Sequence, residues 1–171
     1  MFGCDLSAAE LAETATVGVK TEVLDLTDRG AAAAWIARIE QTTGGAVDVL
    51  VNNAALNYYI ATMDYPTKRW IKAFAVNVHA PFMLAKAVLP DMIARRRGAI
   101  VNISSGAGLG PSLTGIQAYC SAKHAVVGLT RQLAHELGPF GITVNSVAPG
   151  FVRSNAASER QWSAYGEEGQ I

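Results

Sequence analysis

Short apolar runs alternate with longer stretches of helical periodicity along this chain. Apolar and β-branched residues predict strands at residues 1–4, 19–24, 47–51, 99–104 and 142–147. Apolar residues recur at helical spacing over residues 31–40, 67–96 and 119–137. Strands that alternate with helices in this rhythm predict an α/β fold with a doubly wound parallel sheet. Right-handed crossovers would then place helices on both faces of the sheet.

Prolines and glycines predict where the helices are interrupted. Pro81 and Pro90 fall inside the helical stretch at 67–96 and should kink or divide it, because proline donates no backbone hydrogen bond. Gly138-Pro139 should end the last of the helices. The basic run Arg95-Arg96-Arg97 fits a helix end better than a binding patch, since cations are stabilised at the negative end of the helix dipole.

Composition narrows the class of protein. The 171 residues fit one domain, half of them are apolar, 16% are charged and the formal net charge is zero. We expect no nucleic-acid partner without a basic excess, and no membrane span without an apolar run near ~20 residues. Cys4 and Cys120 lie far apart and the histidines lack metal-ligand spacing, so neither a disulfide nor a metal site is expected. No signal pattern is present, which favours a cytoplasmic location.

Polar and turn residues follow four of the predicted strands. Asp25, Asn52-Asn53, Ser104-Ser105 and Pro149-Gly150 each stand just past a strand end. Ligands of open α/β sheets bind beyond the carboxyl ends of the strands. These residues are therefore expected to converge where a cofactor would lie.

Tyr119 and Lys123 are the main candidates for chemistry. Their four-residue spacing places them one turn apart on one face of the predicted helix. A free tyrosine has a pKa of about 10. A nearby ammonium would lower that pKa and suit the phenol for acid/base catalysis near neutral pH. Taken alone, the pair fits a tyrosine packed on the core beside a solvated lysine better than it fits a catalytic pair.

Two further residues strengthen the catalytic interpretation. The Ser105 hydroxyl could donate to a carbonyl oxygen that gains negative charge, although a turn serine would bond its own backbone. Asn77 lies mid-helix, where asparagine is a poor helix former. Pro81 cannot donate to the Asn77 carbonyl, which leaves that oxygen available to hold a water.

Together these motifs resemble the short-chain dehydrogenase/reductase family in its plain, non-extended branch. The resemblance rests on N-N-A-A at 52–55, Asn77, I-V-N-I-S-S ending at Ser105, Y-C-S-A-K from Tyr119 to Lys123, and N-S-V-A-P-G ending at Gly150. It implies a Rossmann-type fold and hydride transfer between NAD(P) and a small carbonyl or alcohol substrate.

The resemblance implies a role for each catalytic candidate. Tyr119 would be the acid/base, and Lys123 would lower its pKa and bind the nicotinamide ribose. Ser105, rather than Ser104, would orient the substrate oxygen. Asn77 would hold a water of a proton relay through its backbone.

The resemblance also implies a set of cofactor contacts. Asp25 and Leu26 would meet the adenine, with Asn53, Ala54 and Ala55 on the adenine-ribose side, and Pro149, Gly150, Val152 and Ser154 would lie near the nicotinamide, together with Tyr119 and Lys123. Ala55 stands where the family usually has glycine, which is tolerated where φ is negative. Ser154 stands where the family often has threonine.

Asp5 bears on the choice of cofactor. An acidic residue after this strand binds the ribose hydroxyls and repels a 2′-phosphate, which favours NAD over NADP. A turn or helix-capping aspartate is the alternative, although Ser7 could cap the next helix instead.

The sequence lacks the glycine-rich turn, G-x-x-x-G-x-G, that seats the cofactor pyrophosphate. We therefore expect a single partial dinucleotide-binding domain, truncated at both ends. In the strand order 3-2-1-4-5-6 the missing strand is central, so two unpaired edges should face each other across a gap.

Other interpretations remain open at this point. A non-catalytic paralogue or fragment that acts as a fold or oligomer subunit is one, and a nicotinamide-dependent epimerase or dehydratase is another. The helices at 67–96 and 119–137 are apolar on much of their circumference, which predicts a homodimer or homotetramer of the intact protein. The substrate itself cannot be named from the sequence.

Overall fold

The computed structural model describes residues 1–153 and Ser163. The strands are β1 Phe2–Asp5, β2 Lys20–Val23, β3 Val49–Asn52, β4 Gly98–Ile103 and β5 Ile142–Val147. The α-helices are α1 Ala8–Ala15, α2 Arg29–Thr43, α3 Thr67–Phe74, α4 Ala80–Arg95 and α5 Gln117–Leu137. The order of these elements confirms the predicted α/β fold, with boundaries that differ from the predicted ones by at most three residues.

The strands form two separate parallel sheets. β1 pairs with β2, and β3, β4 and β5 pair in that order. Between β1 and β3 lies a cavity of about 760 Å³ that is lined by residues of both strands. Within the described residues neither strand has a hydrogen-bonded neighbour on the cavity side. This arrangement is the gap between two unpaired edges that the strand order predicts.

One face of the three-stranded sheet holds the main core. Ile100 of β4 and Met92 of α4 are fully buried, and Trp35 of α2 and Leu133 of α5 complete the same cluster. The opposite face of β3 differs from the prediction. Val49 and Val51 are more than half exposed, because within the described residues no helix covers that side. The expectation of helices on both faces of the sheet is therefore not met at β3 within the described residues.

The helical stretch at 67–96 is divided before Pro81 rather than at the prolines. A π-helical segment, Ala75–His79, separates α3 from α4. Pro81 lies in the first turn of α4, where its missing N–H costs nothing. Pro90 lies inside α4 without ending it. The carbonyl four residues earlier belongs to Lys86, which is exposed, so water can satisfy it.

The span Thr67–Arg95 bears on the expectation that the chain has no membrane span. By length and composition alone it is one helix that could cross a bilayer, and 39% of its most apolar window is buried inside the structure. The core helix of a soluble protein passes the same test. The buried side chains of α4 contact α2 and the sheet, as such a helix does.

The arginine run ends α4, as predicted. Arg96 caps the helix in the left-handed conformation, with φ of 52°. Arg95 and Arg97 each donate to the same carboxylate oxygen of Asp48 at 2.8 Å. The run therefore ties the end of α4 to the loop before β3.

Candidate active site

The carboxyl ends of β3, β4 and β5 meet at one edge of the sheet. Asn52, Asn102 and Ser146 stand in one row across the three strands. Beyond that row, the N–H of Gly106 donates to the Pro149 carbonyl at 2.9 Å. The predicted convergence of the residues that follow these strands is confirmed.

Helix α5 brings Tyr119 and Lys123 to this edge. Lys123 is 2% exposed, whereas Tyr119 is only partly buried. The Lys123 Nζ lies 5.4 Å from the centre of the Tyr119 ring and donates to the Ile103 carbonyl at 2.6 Å. The pair therefore shares a face, as predicted, but the ammonium bonds the end of β4 and not the phenol.

The pKa of Tyr119 moves opposite to the prediction. Burial raises the pKa of its phenol above the ordinary value, while a hydrogen bond with the Ser105 hydroxyl acts in the lowering direction. Lys123 does not contribute to this shift, because its ammonium is directed to the Ile103 carbonyl. The expected lowering by Lys123 is therefore wrong for this geometry.

Burial of Lys123 makes stability depend on pH. It lowers the pKa of the ammonium from 10.5 to about 8. Between these pH values the unfolded chain binds a proton that the folded chain has lost, so stability increases as pH rises through this window. Relative to the Lys123→Met variant, we expect the free energy of unfolding to rise by about 3 kcal/mol across the window and to stay constant below it. Urea unfolding at a series of pH values measures this difference, and a difference independent of pH would refute the assignment.

The two serines after β4 have different partners. The Ser104 hydroxyl is buried and donates to the Lys123 carbonyl at 3.1 Å. The Ser105 hydroxyl accepts from the Ala107 N–H at 3.2 Å and lies close enough to the Tyr119 phenol to act on its pKa in the lowering direction. This geometry supports Ser105 as the serine that reaches substrate. It also includes the local backbone bond that a turn serine would make.

Gly108 allows the loop after β4 to approach α5 closely. A Cβ there would lie 2.5 Å from the Ser104 Oγ and 2.7 Å from the Lys123 carbonyl oxygen. We expect Gly108→Ala to lower the free energy of unfolding by about 1–3 kcal/mol, because the loop must move away from the helix. Gly110→Ala is the matched control, since no atom lies within 4 Å of its Cβ position. Equal stability of the two variants in thermal unfolding would contradict this close approach.

Asn77 lies in the π-helical segment and is 1% exposed. Its side chain accepts from the Leu56 N–H at 3.2 Å and donates to the Leu56 and Ala73 carbonyls at 2.8 Å each. The side-chain amide thus holds the segment after β3 against this helix. An asparagine is tolerated in the middle of this helix because its side-chain amide bonds Leu56, outside the helix, as well as the Ala73 carbonyl one turn earlier.

Asp5 and Asp25 are the predicted cofactor contacts at β1 and β2. Both lie at strand ends, but their carboxylates already accept hydrogen bonds from residues two positions later in the chain. Asp5 accepts from the Ser7 N–H at 2.9 Å, and Ser7 caps α1. This is the turn contact that the alternative interpretation of Asp5 predicts. Asp25 accepts from Thr27 at 2.8 and 2.7 Å and lies 3.2 Å from Lys72 Nζ. The Thr27 hydroxyl and N–H are the main reason that the pKa of Asp25 is lowered.

The remaining predicted contacts are open to solvent. Asn53, Ala54, Ala55, Gly150 and Val152 are exposed, whereas Leu26 and Pro149 are partly buried. Arg96 is the one described non-glycine residue with positive φ. Ala55 therefore has negative φ, which is the condition under which alanine can stand in place of the family's glycine. Ser154 lies outside the described residues.

The described residues fit the two ribose ends of a nicotinamide cofactor. Lys123 has three N–H donors, and the Ile103 carbonyl takes one of them. At the other end, Asp5 offers an exposed carboxylate just past β1. The 171 residues contain no glycine-rich turn for the pyrophosphate. The large cavity between β1 and β3 reaches Asn53 and Ala54 but is not lined by Tyr119 or Lys123.

Sequence reasoning missed a buried polar network below the site. The Asn52 amide donates to Asn102 at 2.8 Å, and the Asn102 amide donates to Thr130 of α5 at 2.9 Å. The network joins β3 and β4 to the catalytic helix. Its signal in the sequence is an asparagine in each of two apolar strands, both close to the strand end.

Comparison with known proteins places these features in a family. A model described as short chain dehydrogenase matches residues 4–164. The "inactive 2-(S)-hydroxypropyl-CoM dehydrogenase 2" of Xanthobacter autotrophicus is 45% identical over 130 residues, which are 76% of this chain and 56% of that protein. The D-beta-hydroxybutyrate dehydrogenase of Rhizobium meliloti is 38% identical over 128 residues, 75% of this chain and 49% of that protein.

Solved structures agree in fold. The NAD⁺-bound xylitol dehydrogenase is 30% identical with a TM-score of 0.84, and the match covers 94% of this chain and 64% of that one. ElxO with NADP bound is 28% identical with a TM-score of 0.84, over 95% and 67% of the two chains. The chain spans about half the length of the curated relatives it matches. It belongs to the short-chain dehydrogenase family.

Proposed function

We propose that this chain carries the catalytic site of an NAD(P)-dependent oxidoreductase that interconverts a carbonyl and an alcohol. The observation that supports this most directly is the meeting of three groups at one sheet edge. Tyr119, Ser105 and Lys123 lie at the junction of β4 and α5, and Asn77 is buried where α3 and α4 meet. Oxidoreductase activity is the common property of the family.

Each side chain has a task in the proposed reaction. A bound nicotinamide cofactor supplies or accepts the hydride. In the reducing direction Ser105 donates a hydrogen bond to the substrate oxygen, and Tyr119 gives its proton to the same atom. Lys123 binds the nicotinamide ribose through donors that Ile103 does not use. The Asn77 carbonyl holds a water that returns a proton to Tyr119.

NAD is the proposed cofactor, in preference to NADP. Family members of this fold bind either one, as the NAD⁺-bound and NADP-bound structures show. The preference rests on Asp5, whose exposed carboxylate at the end of β1 would repel a 2′-phosphate. The Ser7 contact at 2.9 Å uses one carboxylate oxygen, Oδ1.

Isotope transfer tests the proposed reaction. The chain is incubated with NADH that carries deuterium at the transferable position and with a panel of ketones. Deuterium at the former carbonyl carbon of a product supports the proposal. Cofactor that stays deuterated with every ketone, although it binds the chain, would contradict it.

A non-catalytic subunit is the second candidate function. One observation favours it: the relative at 45% identity is named inactive. Both candidates predict the same fold. They differ in deuterium transfer, which a non-catalytic subunit cannot perform.

We further propose that the intact protein is a homodimer or homotetramer that pairs through α4 and α5. Phe82 of α4 is 46% exposed, on the same face as Lys86. We expect Phe82→Glu to shift the protein toward monomer, because the interface would bury an unpaired carboxylate. Lys86→Glu, one turn along the same face, introduces the same carboxylate while the Phe82 ring is kept, and so separates the effect of the charge from that of the lost ring. Light scattering reports the mass, and equal masses for both variants and wild type would count against this interface.

A further inference from the structure

The segment from Leu56 to Ile60 is held at both ends beside the catalytic residues. Asn77 bonds both backbone groups of Leu56, at 3.2 and 2.8 Å. At the other end, the Ile60 N–H donates to the Gly115 carbonyl at 2.9 Å, and the Gln117 amide donates to the Ile60 carbonyl at 3.0 Å. Four hydrogen bonds therefore fix this segment as a wall of the site.

The contacts of Ile60 with Gly115 and Gln117, called the clamp below, require a glycine at position 115. Gly115 has φ of 83°, in the left-handed region that side chains rarely adopt. A Cβ at that position would also lie 3.3 Å from the Ile60 nitrogen. Gln117 stands two residues before Tyr119 on α5. The clamp thus sets the distance between this wall and the catalytic phenol.

The clamped wall and the loop that leads into α5 carry no charge. Residues 53–61 and 104–118 include no Asp, Glu, Lys, Arg or His. Tyr59 is 55% exposed and lies close enough to Tyr119 to act electrostatically on its phenol. Leu113, in the loop, is 38% exposed. After β5 the first charged residue in the chain is Arg153.

An ionised substrate would lose water against the wall and the loop, and neither offers it a counter-ion. Burial of an unpaired carboxylate is strongly unfavourable, whereas apolar and aromatic groups gain from contact with tyrosine and leucine. We infer that this site takes an uncharged ketone or alcohol whose non-reacting part is apolar. The inference rests on the proposed function and names the substrate class for the same site.

A matched pair of substrates tests the inference. Ethyl acetoacetate and acetoacetate contain the same ketone and differ in the charge at the far end. With NADH and the full chain, we expect kcat/KM for the ester to exceed that for the acid by at least about tenfold. Equal values, or a preference for the acid, would overturn the inference.

A charge placed on the wall at Tyr59 provides a second test of the inference. Tyr59→Arg is expected to shift the preference toward acetoacetate, while the uncharged control Tyr59→Gln should keep the preference for the ester. No shift in Tyr59→Arg would show that the substrate does not meet this wall, which overturns the inference.

Binding separates failure of this inference from failure of the proposed function. If neither ketone is reduced, the proposed catalysis fails, and saturation-transfer NMR still measures which compound contacts the protein. Saturation of the ester and not the acid supports the substrate class. Equal saturation, stronger saturation of the acid, or none for either compound overturns it.

Discussion

Tyr119→Phe is expected to lower kcat by about 100- to 10,000-fold while the fold is retained. The change removes only the phenol oxygen, which is the proposed proton donor to the substrate, and general acid catalysis contributes about this much. The ring keeps its place on α5 near the Lys123 ammonium. Steady-state NADH oxidation with the preferred ketone measures kcat, and circular dichroism checks the fold.

Tyr65→Phe is the matched control for that variant. It removes the same atom from a tyrosine outside the 53–61 wall, whose ring meets the Trp70 ring edge-on at 6.3 Å, a contact that needs no hydroxyl. Its kcat should stay within about twofold of the wild-type value, as for substitutions away from the reacting atoms. Equal losses in the two variants would show that Tyr119 does not act as the acid.

Asn77→Leu is expected to lower the free energy of unfolding by about 2–5 kcal/mol and to reduce kcat/KM as well. The leucine has a similar volume but leaves the Leu56 N–H and carbonyl without the partners that now lie at 3.2 and 2.8 Å. Each unpaired buried group costs about 1–3 kcal/mol. Release of Leu56 would also free one end of the wall beside Tyr119.

Asn145→Leu provides the comparison for this effect. Asn145 is exposed on β5, so the same substitution there should change stability by no more than about 0.5 kcal/mol. Urea unfolding measures both variants. A loss of stability in Asn145→Leu equal to that in Asn77→Leu would exclude a specific role for the Leu56 contacts.

Periodicity predicts most of the fold because local pattern and tertiary structure agree here. The predicted strand at 142–147 coincides with β5, since alternate residues such as Ile142 and Val144 are buried between the sheet and its helices. Prediction fails where the burial of a residue depends on which other element packs against it. Val49 and Val51 belong to an apolar run, yet their exposure depends on whether a helix covers that face.

The π-helical segment shows a similar limit. Pro81 signals an interruption near this point, but a proline is compatible with either a kink or a first-turn position. The position of the interruption coincides with Asn77, whose side chain bonds Leu56, 21 residues earlier in the chain. Contacts over that distance leave no periodic signal.

The relative placement of the candidate residues Tyr119 and Lys123 could be predicted, but their electrostatics could not. The spacing of Tyr119 and Lys123 fixes their shared face on α5, and the structure confirms it. Spacing does not reveal that the Ile103 carbonyl lies within 2.6 Å of the ammonium and competes for it. The direction of the Tyr119 pKa shift depends on that backbone oxygen and on burial, and neither is encoded in the motif.

Cofactor binding to the 171-residue chain tests the central claim most directly. Nicotinamide fluorescence is followed while NADH and NADPH are titrated in parallel. The account predicts saturable binding that is stronger for NADH and is weakened by Lys123→Met, since Lys123 would bind the ribose. Absence of binding with both cofactors, in a chain that circular dichroism shows to be folded, would contradict the claim that these residues form a nicotinamide site.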